Sequence, residues 1–525
     1  MNRRSAIKTA SAAVLGGIAA TQIISCGRGQ NTSLSVDKKQ KKYLKEGELF
    51  RNSSPTVIGV SEKNPHYYQY KGREILLITS AEHYGGVINK AFDFIRYFDR
   101  LAEYGLNYTR IYPGAFVEPE GLWMATGDIL GPPDRDLIVP WARSNVPGYK
   151  KGGNKFDLNK WDPEYFARLH DFLTEAGKRD IIVEICFYNG MQDHYWACSP
   201  LQKDNNIQGI GDCDPAGFHT LENEPLVCEQ LKYVEKLIAE TNRFDNVIYE
   251  IVDEPTNALT HSHKAYHWIE KQMETAIETE SRLPKQHILA QQLEIGIDFA
   301  CDDKAAAIVT QYISLSWRQV GGIPALNSCY CFNKPIELNE TAFLGSWITE
   351  GSHDLLAISR LEAWEFMVGG GAGFNQLNGY FQPANPSGDD ETNLKVLAGL
   401  LNLRTFLESF DFVKMTRDKE TVRQSSIGAS VNMISEKGRQ YAMYIHHSFP
   451  VFNSGAYYEP NYGEYAPVLT LRLEKGDYTV TFVEPATLKT LKEITVNSDG
   501  KNTLLACPRY TLDLAVKIKL LNSFS

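Results

Sequence analysis

Two glutamates stand where a carboxylate does chemistry best, at the last position of an apolar strand. In Asn246-Val247-Ile248-Tyr249-Glu250-Ile251-Val252-Asp253-Glu254-Pro255, strand alternation puts Ile248, Glu250, Val252 and Glu254 on one face. Pro255 has no N–H for a ladder and ends the strand. In Lys334-Pro335-Ile336-Glu337-Leu338-Asn339-Glu340-Thr341 the same rule places Ile336, Leu338 and Glu340 together, again with a glutamate last. A carboxyl fixed at such a rim becomes a general acid when burial raises its pKa toward neutrality. Two of them about 5–5.5 Å apart form the acid/base and nucleophile of glycoside cleavage with retention. The plain alternative is a surface acid at each strand end. Glu350, in Thr349-Glu350-Gly351, is the rival to Glu340, although its segment reads as a loop before a helix.

The elements that must carry these groups follow a repeating rhythm. From Tyr67 to about Phe410, short apolar runs alternate with amphipathic stretches, the pattern of parallel strands joined by crossover helices. Eight strands are expected: 75–80, 107–112, 180–187, 247–252, 287–293, 306–312, 335–340 and 373–377. Helices are expected at 91–104, 163–178, 225–241, 264–281 and 356–368, with Gly105 and Gly177 as stops. Eight repeats make an α/β fold, a (β/α)8 TIM barrel with its site at the carboxyl ends of the strands. The connections 113–162 and 188–222 are too long for simple turns, and their Trp and Tyr content argues for folded loops over the mouth. Near Asp411 the helical period stops and short β-rich runs begin, the texture of a small antiparallel β-sandwich of five or more strands. The expected division is 1–25 signal peptide, 26–55 lipidated tether, 56–410 barrel and 411–525 sandwich.

With those motifs placed, the chain resembles the clan A glycoside hydrolases. Tyr-Glu-Ile-Val-Asp-Glu-Pro looks like their strand-four motif and Lys-Pro-Ile-Glu-Leu-Asn-Glu like their strand-seven motif. The cellulase-like family five barrels, and the apiosidase-like barrels with a C-terminal sandwich, are the most similar. The resemblance implies Glu254 as acid/base, Glu340 as nucleophile, and Arg110 as the cation that keeps the nucleophile ionised. One position departs from the pattern. The clan usually has Asn before the acid/base, to hydrogen-bond the sugar 2-hydroxyl; here stands Asp253, which accepts but cannot donate while ionised.

Further substrate contacts are expected from Asp253 and Arg110, from His83 after the first strand, and from Tyr312 at the end of the sixth. The alternatives are a buried ion pair, a core tyrosine and a capped loop histidine. Trp123, Trp141, Trp196 and Trp317 are candidate stacking platforms for sugar rings, whereas Trp364 falls inside a helical pattern and reads as core. His261, His263 and His267 belong to a solvated helix start, Gly369-Gly370-Gly371 to a helix exit; neither gives a metal or phosphate site.

The first residues set the compartment. Arg3, Arg4 and Lys8, an apolar stretch to Ile24, and Ile23-Ile24-Ser25-Cys26 resemble a twin-arginine export signal ending in a lipobox, with Cys26 as the lipidated residue. Cleavage there removes three cations and no acid, moving the formal charge from −10 to −13. An acidic surface without a basic stripe excludes nucleic acid and polyanions as partners and fits a neutral ligand. Membrane contact is expected only through the anchor. Cys198 and Cys213 share one loop and are able to pair in an oxidising compartment. These observations converge on a retaining β-glycosidase for an oligo- or polysaccharide, needing no cofactor. A lipid-anchored glycan-binding protein with a degenerate barrel is the second reading, and a metal-dependent hydrolase on the same fold the third.

Overall fold

The structure, a computed structural model, describes residues 54–521 except 125–126, 255–261, 293–303, 312–321, 347–353 and 454–455; for 262–263, 311, 450–453 and 456–457 only the backbone is described. Cys26, His261, Tyr312, Trp317 and Glu350 therefore lie outside the described residues, as does the side chain of His263.

Eight strands form one sheet: β1 (Leu77–Ala81), β2 (Tyr108–Ile111), β3 (Ile182–Asn189), β4 (Val247–Asp253), β5 (Leu289–Gln292), β6 (Ala307–Gln311), β7 (Ile336–Glu340) and β8 (Gly373–Leu377). Their order is β1-β8-β7-β6-β5-β4-β3-β2, every pairing parallel. The two ends meet at Asn107. Its N–H donates to the Ile78 carbonyl at 3.3 Å, and its side-chain oxygen accepts from the Ile78 N–H at 3.0 Å. Asn107 thus closes the seam at one end, and the Tyr112 N–H, donating to the Tyr84 carbonyl at 3.0 Å, joins the chain just past β1 and β2 at the other.

The helices begin where the sequence offers caps. Asp93 caps α1 (Phe94–Glu103), Asp162 caps α2 (Pro163–Lys178) and Asn223 caps α3 (Glu224–Thr241), each side chain accepting from orphan first-turn N–H groups. Then follow α4 (Ser262–Glu280), α5 (Gly322–Cys329), α6 (Leu355–Val368) and α7 (Glu391–Glu408). Gly105, at φ +65°, stops α1 as expected. Gly177 does not stop α2; it lies in the last turn, where a side chain would press on Asn246, and Asp180 takes the left-handed conformation instead. His267 is exposed on α4, as a solvated helix surface requires.

Ahead of β1, an antiparallel sheet of Gly59–Val60, Tyr68–Tyr70 and Arg73–Ile75 was not expected. Its Tyr68 and Tyr70 pack with Leu77, Tyr108, Ile182 and Ile248 and plug the amino-terminal end of the barrel.

After α7 and a single 3-10 turn at Phe412–Lys414 come strands: β9 (Thr416–Arg417), β10 (Val422–Ser425), β11 (Ser430–Glu436), β12 (Gln440–His446), β13 (Phe449–Asn453), β14 (Ala456–Glu459), β15 (Val468–Arg472), β16 (Gly476–Val483), β17 (Thr490–Ser498), β18 (Asn502–Ala506) and β19 (Asp513–Leu520). A six-stranded sheet, β9-β11-β12-β19-β16-β17, faces the three-stranded β10-β15-β18. Alternation explains how β12 serves two cores. Tyr441, Met443 and Ile445 point into the sandwich, while Ala442 and Tyr444 join the barrel's own buried cluster. There Trp364 of α6 packs on Tyr444 and on Phe406 of α7. Beside it the Glu365 carboxylate accepts from Ser430 and Asn432 and faces His446 Nε2 at 3.0 Å, and Arg360 pairs with Asp513 at 2.8 Å. Trp364 is core, as its helical spacing predicted.

Candidate active site

Arg110, on β2 and fully buried, organises the mouth of the barrel. Its alternation with Tyr108 and Tyr112 sends all three inward. The guanidinium donates from Nε and Nη2 to Glu250 at 2.8 and 2.5 Å, and its Nη1 lies 3.4 Å from the carboxylate of Glu340. It also forks onto Asp253, Nη1 to Oδ2 at 3.1 Å and Nη2 to Oδ1 at 3.0 Å. Burial alone would lower its pKa; Asp253 and Glu250 outweigh that and hold it charged.

Asp253 receives two more donors, Tyr112 Oη and Gln292 Nε2. Four donors match the four lone-pair sites of a carboxylate. The residue expected to meet a sugar hydroxyl is instead filled by protein, and its charge balances Arg110.

Strict alternation failed on both glutamate strands, and the structure gives the reason. On β7 it is Glu337 that points inward, accepting from Tyr68 and from Tyr108. Ile336 and Leu338 belong to the surrounding helix-side core. The register with β6 then skips Asn339, pairing Thr310 with Leu338 and Gln311 with Glu340. That bulge turns Glu340 back toward Arg110. On β4, Glu250 and Asp253, of opposite parity, both reach Arg110, so the pleat breaks before Glu254. Glu254 has φ +43°, and Tyr84, Ala342 and Phe343, just past β1 and β7, also take positive φ. Of eight such non-glycine residues among those described, half follow the carboxyl ends of these three strands. Backbone strain of this kind concentrates at functional sites.

The loop after β1 is built to hold His83. Glu82 accepts from the N–H groups of Gly85 and Gly86, and Arg168 ties down the carbonyls of Gly86, Val87, Asn89 and Phe92. Gly85 permits the close approach of Ile129, whose backbone would lie 2.4 Å from a β-carbon there. His83 is buried between two acids of the loop after β2, Nε2 at 3.6 Å from Glu118 and Nδ1 at 3.3 Å from Asp128. Glu118 and Asp128 were missed in the sequence, which has no local spacing that pairs them with His83. Burial, then Asp128 and Glu340, push the Glu118 carboxyl well up; burial pushes Asp128 up too, but His83 outweighs it and leaves it lowered. The ligand atoms of the three lie within 4.8 Å of one another, a spacing that admits a small cation.

Tyr195 completes the wall. It stands within electrostatic range of Glu118 and Glu254, and Trp123 Nε1 donates to its hydroxyl at 2.5 Å. Half-buried Trp123 therefore borders the acids. Trp196 does not serve as a platform: it is 4 % exposed, donates to the Cys213 carbonyl and packs on Phe218. Trp141 is likewise enclosed, by Trp161 and Tyr233. Both long loops are folded as expected and are joined by a bridge between Phe156 and Asn206 and by Tyr149 donating to the Cys198 carbonyl. Cys198 and Cys213 are free thiols.

Beneath the mouth lies a layer of acids with few cations. Glu184, Glu250 and Glu337 are fully buried, served by Arg110, Tyr68 and Tyr108. Burial, helped by mutual repulsion, outweighs the lowering pull of Arg110 and leaves all three pKa values raised. Burial also lifts Glu82 and Glu362 to about 8. A carboxyl whose folded pKa exceeds its unfolded value stabilises the fold through its proton. The contribution is complete below about pH 4.3 and is lost as pH rises through about 8. The expected result is a Tm that falls by about 5 °C or more between pH 5 and pH 9 in scanning calorimetry, with a flatter slope in Glu337→Gln. A Tm that is level or rising over that range would refute it.

No family model matches the sequence, and no curated protein does. Among solved structures, the chain is similar to a family 5 glycoside hydrolase from Bacteroides vulgatus ATCC 8482, with a TM-score of 0.54 and 11% identity over 88% of this chain and 93% of that one. It is similar also to a structure described as a glycoside hydrolase, with a TM-score of 0.54 and 10% identity over 89% of this chain and 98% of that one. What the chain shares with them is the fold, a (β/α)8 barrel continued by β-sheets.

Proposed function

We propose that this chain is a retaining glycoside hydrolase that cleaves β-glycosidic bonds in an oligo- or polysaccharide of largely neutral sugars. The observation that carries the reading is the placement of two glutamates at strand ends, Glu254 just past β4 and Glu340 closing β7, the latter against the buried guanidinium of Arg110. In this mechanism the Glu340 carboxylate attacks the anomeric carbon while Glu254 protonates the departing oxygen. The glycosyl ester on Glu340 is then released by water, whose proton Glu254 takes. Arg110 keeps Glu340 anionic at the start of each cycle. His83, Glu118 and Asp128 form a polar wall able to exchange hydrogen bonds with sugar hydroxyls. The amino-terminal signal supports export and an anchor on Cys26 as part of the same proposal.

The test is hydrolysis of a panel of aryl β-glycosides and plant polysaccharides, with the first-formed anomer read by NMR. Release of the β-anomer supports double displacement. Release of the α-anomer would overturn it, since a single displacement inverts the centre. Failure of every substrate, together with glycan binding, would favour the binding-protein reading.

A further inference from the structure

Far from the mouth, a cavity of about 370 Å³ opens between the barrel and the sandwich. Asn327, near the end of α5, supplies the barrel wall; β9, β10 and β11 with their connecting turns supply the rest. The end of α5 leads into the start of β7, so the cavity belongs to the barrel's amino-terminal side. Its charge is opposite to that of the chain. Arg417, Lys419 and Arg423 line it, in a protein of net charge −10.

Lys419 donates to Asn327 Oδ1 at 2.6 Å, and Glu365 acts on Arg417 only from a distance. Among the described residues none of the three is ion-paired. Asp418, also in the lining, is already occupied by Thr421, Ser435 and the N–H groups of Glu420 and Thr421. Glu365 is occupied by Ser430, Asn432 and His446. Arg417 is anchored through its own N–H to the Tyr330 hydroxyl, and its Nη1 is buried without a hydrogen-bond partner. Burial lowers its pKa to about 10, and Lys419 is lowered by burial and then by Arg417. An orphaned buried donor costs about 1–3 kcal/mol.

We infer that this cavity binds an acidic saccharide, a sugar bearing a carboxylate or a sulfate ester, at a site separate from the barrel mouth. The volume lies in the range of about 300–1,000 Å³ typical of small-molecule sites and exceeds what a bare oxyanion needs. Gln424, the amide nitrogen of Asn327 and the Ser425 oxygen, whose proton goes to the Ile427 carbonyl, add polar groups suited to hydroxyls. The acidic remainder of the surface repels a polyanion, so the fitting ligand is a mainly neutral glycan with isolated acidic residues. Such a site would hold an acidic branch while the mouth works on the neutral chain, and its binding is measurable whether or not the chain is a hydrolase.

The experiment is calorimetric titration of the full chain with four probes: an aldobiouronic acid (glucuronic acid linked to a neutral sugar), a sulfated monosaccharide, sodium sulfate and a neutral disaccharide. At least one acidic sugar should bind with a Kd of about 1 mM or tighter. Arg417→Gln should weaken it tenfold or more, while the neutral disaccharide leaves the cavity unaffected. Arg423→Gln with Lys419→Gln, both exposed positions, supplies a second variant that does not endanger folding. Turnover at the barrel mouth should be unchanged in both. Binding of neither acidic sugar, equal binding by the variants, or sulfate binding as tightly as the sugars would each overturn the inference.

Discussion

Glu340→Gln should reduce kcat/KM on an aryl β-glycoside by about 10⁴-fold or more, and Glu254→Gln by a comparable factor on substrates with poor leaving groups. Glutamine keeps the volume and most hydrogen bonds of each site, so a loss of that size reports chemistry rather than folding. The two variants should differ in how a small anion rescues them. With azide, a Glu254→Ala enzyme and an activated leaving group should give the glycosyl azide of retained configuration, because Glu340 still forms the first ester. Glu340→Gly with azide should give the inverted product, since azide then attacks directly. Unimpaired turnover in Glu340→Gln would remove this residue from the mechanism and turn attention to Glu350.

Arg110→Met should be the most damaging substitution at the mouth outside the glutamates. It leaves Glu250, Asp253 and Glu340 facing one another with no cation, and breaking a buried pair costs about 3–5 kcal/mol. That variant is expected to accumulate poorly or to melt far below the wild type. Arg110→Lys keeps the charge and loses the fork that spans Glu250 and Asp253. It should fold, with kcat/KM down by about 100-fold and the acidic limb of the pH–rate profile moved to higher pH, because the cation no longer reaches Glu340 well. A fall in activity with an unmoved limb would mean that Arg110 only braces the barrel.

What the sequence made legible, and what it hid, divides along local and non-local physics. The strands and helices followed from period: β8 runs from Gly373 to Leu377 and α2 from Pro163 to Lys178, both as read. The parity of β2 was legible because its pleat is unbroken. On β7 it was not, since a bulge at Asn339 has no signature beyond ordinary residues, and the rule counted straight through it to bring Ile336 and Leu338 inward. Glu254 was singled out as a strand-end acid, but its positive φ is imposed by the surrounding fold. Asp253 read as a sugar contact because nothing nearby in the chain tells that Tyr112 and Gln292, from other strands, fill its oxygens. The grouping of His83 with Glu118 and Asp128 depends on two loops meeting at Gly85, a contact made by folding and invisible to spacing.

The shared packing around Trp364 has a consequence for how such a chain can change over time. A module that is joined by a linker can be lost, duplicated or traded without harm to its neighbour. Here Ala442, Tyr444 and Ala515 are bricks in the barrel's own wall, and Glu365 relies on partners from β11 and β12. A truncation after α7 would uncover a tryptophan and strip a buried carboxylate of its donors in one stroke. The two parts are thus bound to melt together and to be inherited together, with substitutions on α6 answered by substitutions on β12 and β19.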